Sequence, residues 1–101
     1  MMFDLRRALL SKEEKESSRL MDFEFRQRAR SFRLIAEALG LPADELVRRI
    51  ALSDDAAILD RLAAEHPVAR AELGEIHARC RAEAYRQLVA ERGDPAPHRL
   101  G

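Results

Sequence analysis

Between Met21 and Leu39 apolar residues return at steps of three and four, at Met21, Phe25, Ala29, Phe32, Ala36 and Leu39. A stripe at that interval lies along one side of an α-helix, so the pattern predicts a helix over 21–39 with those residues turned toward a core. Gly40 follows, free to take positive φ, and Pro42 prevents the same helix from continuing. A second helix is predicted from Pro42 to about Leu52, burying Leu46, Val47 and Ile50 and turning Arg48 and Arg49 outward. Ser53 then reads as the cap of a third helix, with Asp54 and Asp55 in its first turn, where carboxylates complement the positive end of the dipole. Ile58, Leu59 and Leu62 give it an apolar face, and His66-Pro67 closes it. The fourth helix is predicted from Pro67 to Arg92, with Ala69, Leu73, Ile76, Cys80, Ala84 and Leu88 on one side and Gly93 as its stop.

Both ends depart from this pattern. Residues 1–10, MMFDLRRALL, place Met2, Leu5 and Leu9 at helical spacing, but the piece is too short to hold a helix alone. Ser11-Lys12-Glu13-Glu14 is a capping-box pattern, yet the stretch to Arg19 has almost nothing apolar to bury. Residues 1–20 are therefore expected to be a mobile arm that folds only against a partner. The tail, 94–101, carries Pro95 and Pro97 without apolar periodicity and is expected to be disordered. The predicted architecture is all-α: a small four-helix bundle over 21–93 behind an N-terminal arm.

Composition narrows this further. A chain of 101 residues is the length of one domain with a modest core. Apolar residues make up 47%, but aromatics only 5% with no Trp, so the core must be built mainly from Leu, Ile and Ala. Eighteen basic residues balance 18 acidic ones, and a zero formal charge creates no long-range field toward nucleic acid or an anionic membrane. The lone cysteine, Cys80, rules out an internal disulfide and fits a reducing compartment. With no signal-like apolar run and no stretch long enough to span a bilayer, a cytoplasmic protein without membrane insertion is expected.

The candidate chemistry is sparse. His77 and Cys80 stand three apart, but zinc needs three or four ligands and no second pair matches them. Cys80 reads as a small core residue and His77 as a border residue of the apolar stripe. Gly40, Gly74, Gly93 and Gly101 are too far apart to form a phosphate-cradling loop, and the carboxylates all read as solvated or first-turn residues. No enzymatic activity, metal or cofactor is expected. The strongest local charge feature is Arg26, Arg28, Arg30 and Arg33, of which Arg26, Arg30 and Arg33 share one helix face. Such a face can grip phosphates or an acidic protein surface. The four-residue spacings from Asp22 to Arg26 and from Arg33 to Glu37 also suit ordinary ion pairs along a helix, and that is the plainer interpretation.

The stretch RLIAEALGLPADELVRRI, residues 33–50, has the outline of a helix-turn-helix DNA reader. A reader would set the first turn of its second helix against the duplex, and here that turn holds Asp44 and Glu45. Both repel a phosphate backbone, and Arg48 with Arg49 make few counterion-releasing contacts. A DNA-binding regulator and a helical adaptor for another protein stand as alternatives to the assignment that follows, with nucleic acid the less favoured.

Phe25-Arg26-Gln27-Arg28-Ala29-Arg30, then Ala36-Glu37-Ala38-Leu39-Gly40-Leu41, resembles the zeta-type inhibitor subunit of alphaproteobacterial F-type ATP synthase. Near the start, Phe3, Asp4 and Arg6 match that family's opening motif in place, with Leu9 where the family has alanine, and Glu83-Ala84-Tyr85-Arg86-Gln87-Leu88 resembles its last helix. Relative to the family the first long helix is about four residues shorter, close to one turn, so its apolar stripe keeps its direction. The family's tryptophan and an acidic loop between Ile50 and Val68 are missing. The resemblance implies a four-helix all-α fold and a regulator that inserts its N-terminal arm into the catalytic head of the synthase to block ATP hydrolysis. It would then sit in the cytoplasm, peripheral to the inner membrane through the synthase. Ordering the arm costs conformational entropy, so it must bury Phe3, Leu5, Leu9 and Leu10 to bind at all. Partner contacts are thus expected at Phe3, Asp4, Leu5, Arg6, Leu9 and Leu10, and on the bundle at Arg26, Arg30 and Arg33.

Overall fold

A computed structural model describes residues 12–93, with side chains from Ser18 onward. Phe3, Asp4, Leu5, Arg6, Leu9 and Leu10, the cap residue Ser11 and the tail 94–101 lie outside the described residues. Among those described the fold is compact and all-α. Helix α1 spans Lys12–Leu39, α2 Ala43–Arg48, α3 Asp55–Glu65 and α4 Arg70–Arg92, and a short 3-10 turn, Arg49–Ala51, extends α2. The first helix thus starts well before Met21, and residues 12–20, assigned by sequence to the arm, are its opening turns. Strong helix formers, with Glu13 and Glu14 near the positive dipole end, suit that extension.

Gly40 ends α1 as its position suggested. With φ at +70° it lets Leu41 N–H donate to the Ala36 carbonyl at 2.8 Å while its own N–H reaches Glu37 at 3.3 Å, a Schellman closure. Leu41 folds back against the core and Pro42 leads directly into α2. The cap of α3 is Asp54, one residue beyond the predicted Ser53. Its Oδ1 accepts the Ala57 N–H at 2.8 Å, and the Ser53 carbonyl is taken instead by Arg28. The fourth helix begins at Arg70 and not at Pro67, since the chain bends at His66 and Pro67, where the Val68 N–H donates to the His66 carbonyl at 2.8 Å, and lays half-buried Val68 against the core.

The core is a cluster of Phe32, Ile35, Ala36, Leu46, Ile50, Ile58, Leu59, Leu62 and Leu73, with Ile76 and Cys80 packed at its edge. Leucine, isoleucine and alanine do supply most of it, around one aromatic, Phe32, that is fully enclosed. The predicted α1 stripe holds only in the second half of the helix. Phe32 and Ala36 are buried and Leu39 packs on the core, but Met21 and Phe25 are 70% and 52% exposed. In the first half the inward positions are Phe23, whose ring meets Tyr85 edge-on at 5.6 Å, Gln27, whose amide donates to the Arg81 carbonyl, and Ser31. Helix α4 lies along both stretches, meeting Phe23 through Tyr85 and Phe32 through His77, whereas α2 and α3 share the core only with α1 residues from Ala29 onward.

Candidate partner-binding surface

The predicted basic face is formed and is larger than the sequence indicated. Arg26, Arg30 and Arg33 of α1 meet Leu88, Glu91 and Arg92 of α4 around a shallow depression of about 420 Å³ floored by Ala29. Helical periodicity puts the three α1 arginines in one row, and burial of Leu88 in the seam brings the last turn of α4 beside them. Each guanidinium is held differently. Arg26 Nε donates to Asp22 Oδ2 at 2.9 Å, the four-residue pair expected from spacing. Arg30 closes on Glu91 as a two-pronged fork, Nη1 to Oε2 at 2.8 Å and Nη2 to Oε1 at 3.0 Å, and Nη1 also donates to Gln87 Oε1. That hydrogen-bonded pairing raises the pKa of Arg30 and holds Glu91 below the ordinary carboxylate value, outweighing the slight desolvation of each. The expected Arg33–Glu37 pair does not form, and among the described residues Arg33 and Arg92 have no ion pair. Fork-shaped guanidiniums with open donors suit carboxylate or phosphate oxygens.

Arg28, the remaining member of the basic run, points elsewhere. Its Nε donates to Asp55 Oδ1 at 2.7 Å and its Nη2 to the Ser53 carbonyl at 2.9 Å. Asp55 Oδ2 in turn meets His77 Nε2 at 3.0 Å and Arg81 Nη1 at 3.5 Å, so one carboxylate ties α1 and α4 to the start of α3. Burial alone would raise the Asp55 pKa, but hydrogen bonds and charge from Arg28 and His77 outweigh it and hold it below the usual value. His77 also tilts against Phe32 at 5.6 Å between ring centres, so it borders the apolar stripe as anticipated. Cys80, also as anticipated, packs on the core, and burial there raises its thiol pKa. With every side-chain polar atom buried in the described residues provided with a partner, the Asp55 cluster is a structural tie. It was invisible in sequence because Asp55 lies more than twenty residues from each of its partners and no local spacing joins it to them.

The corner at 39–50 corrects the outward placement of Arg49. That side chain is half-buried, with Nη1 on Glu65 Oε1 at 2.9 Å and Nη2 within 3.9 Å of Glu45 Oε1. It seals one side of a cleft of about 290 Å³ whose apolar wall is Leu41, Leu46 and Leu62. The helix that would enter a DNA groove is six residues long and carries Asp44 and Glu45 in its first turn. Only Arg48 remains outward.

Among the described residues no helix is long and apolar enough to cross a membrane. No protein-family model, curated protein or solved structure matches the chain.

Proposed function

We propose that this protein regulates an F-type ATP synthase, inhibiting ATP hydrolysis by inserting its N-terminal segment into the catalytic head. The motif resemblance is the observation that carries the proposal: Phe25-Arg26-Gln27-Arg28-Ala29-Arg30 followed by the Gly40 corner, in an all-α fold of the kind the resemblance implies. One structural and one sequence observation support it. Helix α1 is continuous from Lys12 to Leu39, so residues 1–11, the segment that would act on the head, are joined directly to a helix packed in the bundle. Those residues carry Phe3, Leu5, Leu9 and Leu10, and burying them is worth about 1.5–3 kcal/mol each.

Weighing against DNA binding are the Arg49–Glu65 pair and the acidic opening of α2, which leave too few free cations to release counterions. An adaptor whose bundle carries the interface is favoured by one observation, that Arg33 and Arg92, side by side on the depression, have no ion pair among the described residues. The deciding experiment titrates isolated catalytic heads with the intact chain and with a Phe3→Asp, Leu9→Asp variant. Inhibition by the intact chain and its loss in the variant is the expected result. Unchanged hydrolysis at saturating intact chain would sink the proposal.

A further inference from the structure

Four arginines and a single carboxylate, Glu91, line the depression between α1 and α4, in a chain whose formal charge is zero. The positive excess is therefore local. Arg30 holds both oxygens of Glu91, which matches that carboxylate's charge. Arg26 holds Asp22 in a pair whose members are 46% and 58% exposed, an interaction worth about 0–1 kcal/mol and easily exchanged for another anion. Arg33 and Arg92 have no ion pair among the described residues, and Arg33 does not lack a candidate acid. Glu37 stands four residues on, at a spacing that suits a pair, yet Arg33 lines the depression without engaging it. Placing Arg33 and Arg92 on one concavity with no carboxylate between them is a repulsion that the fold carries and that a bound anion relieves.

Charge and shape select the kind of anion. Four guanidiniums against Asp22 and Glu91 leave an excess of two positive charges, which calls for an anion carrying at least two. A concavity of about 420 Å³ is at the small end of ligand sites and fits a small molecule. One carboxylate fills one guanidinium fork, as Glu91 does on Arg30. Arg33 and Arg92 come from different helices, so meeting both together takes oxygens directed to several sides, as on linked phosphoryl groups. We infer that this depression is a binding site for a small polyphosphate anion, whose oxygens bridge Arg33 and Arg92 while Arg26 leaves Asp22 to become a third donor. The site belongs to the bundle and is separate from the segment 1–11 on which the proposed inhibition rests, so each can fail without the other.

The test titrates the isotope-labelled full chain with inorganic pyrophosphate at low salt, read by NMR, with the dicarboxylate malonate as the comparison anion. Saturable shifts are expected at the Ala29 and Leu88 amides and at the Arg33 and Arg92 side-chain N–H signals, with a Kd of about 1 mM or tighter that weakens as salt rises. Malonate is expected to bind at least about tenfold more weakly. Arg33→Gln with Arg92→Gln lowers pyrophosphate affinity at least about tenfold, whereas Arg48→Gln with Arg79→Gln, which removes the same charge from exposed positions outside the depression, leaves it unchanged. Arg33 and Arg92 are themselves exposed, so the melting temperature of their double variant stays at the wild-type value or rises as the repulsion is removed. Shifts that never saturate, malonate binding as tight as pyrophosphate, unchanged affinity in the Arg33/Arg92 variant, or equal loss in the two double variants would overturn the inference.

Discussion

Asp55 is where loss of a single charge has the most informative consequence. Its carboxylate is 20% exposed and is shared by Arg28, 23% exposed, and His77, 17% exposed, with Arg81 at the rim. Removing one partner of a fully buried ion pair costs about 3–5 kcal/mol, and an exposed pair is worth about 0–1 kcal/mol. Partial exposure places Asp55→Asn between them, at about 2 kcal/mol. For a domain of this size that lowers the melting temperature by roughly 8–16 °C. The pH dependence has a definite sign. Because the folded carboxyl titrates below its unfolded value, its contribution is complete above the unfolded pKa, about 3.9, and is lost as pH falls through the lowered folded value. Urea denaturation at a series of pH values should therefore show a gap between wild type and variant above about pH 4 that closes below it. A gap under about 0.5 kcal/mol at pH 7 would refute the view that this carboxylate ties three helices together.

Other perturbations test separate parts of the fold. Phe32→Ala empties the centre of the core and should cost about 3–5 kcal/mol, enough to leave the chain largely unfolded at 37 °C by circular dichroism. Asp54→Ala removes the α3 cap and should cost about 1 kcal/mol in urea titration, whereas Ser53→Ala should change almost nothing. At Gly40 a Cβ would meet no atom within 4 Å, so Gly40→Ala tests backbone strain alone, with an expected loss of about 1–2 kcal/mol by the same titration.

What could be read in advance follows the range of the forces involved. The Gly40 corner, the α3 face of Ile58, Leu59 and Leu62, and the row of Arg26, Arg30 and Arg33 are set by neighbours within a few residues, and the structure contains each. Phe23 and Phe25 show where that stops. Periodicity finds a face but not which helix covers it: α4 covers Phe23, whose ring meets Tyr85, and leaves Phe25 exposed. The same limit hid Arg92 and Glu91, which complete the basic surface from more than fifty residues away. Arg49 looked free because Glu65, its partner, belongs to the next helix. In this chain local chemistry sets the elements, and the pairing of distant charges decides which arginines remain available.

The central proposal is that residues 1–11 are the segment that acts on a catalytic head. It is tested most directly by ATP hydrolysis of isolated heads titrated with the intact chain and with a chain beginning at Lys12, both verified as folded by circular dichroism. The account predicts inhibition by the intact chain and none by the shortened one. Equal inhibition by the two, or none by either with active heads, would contradict it.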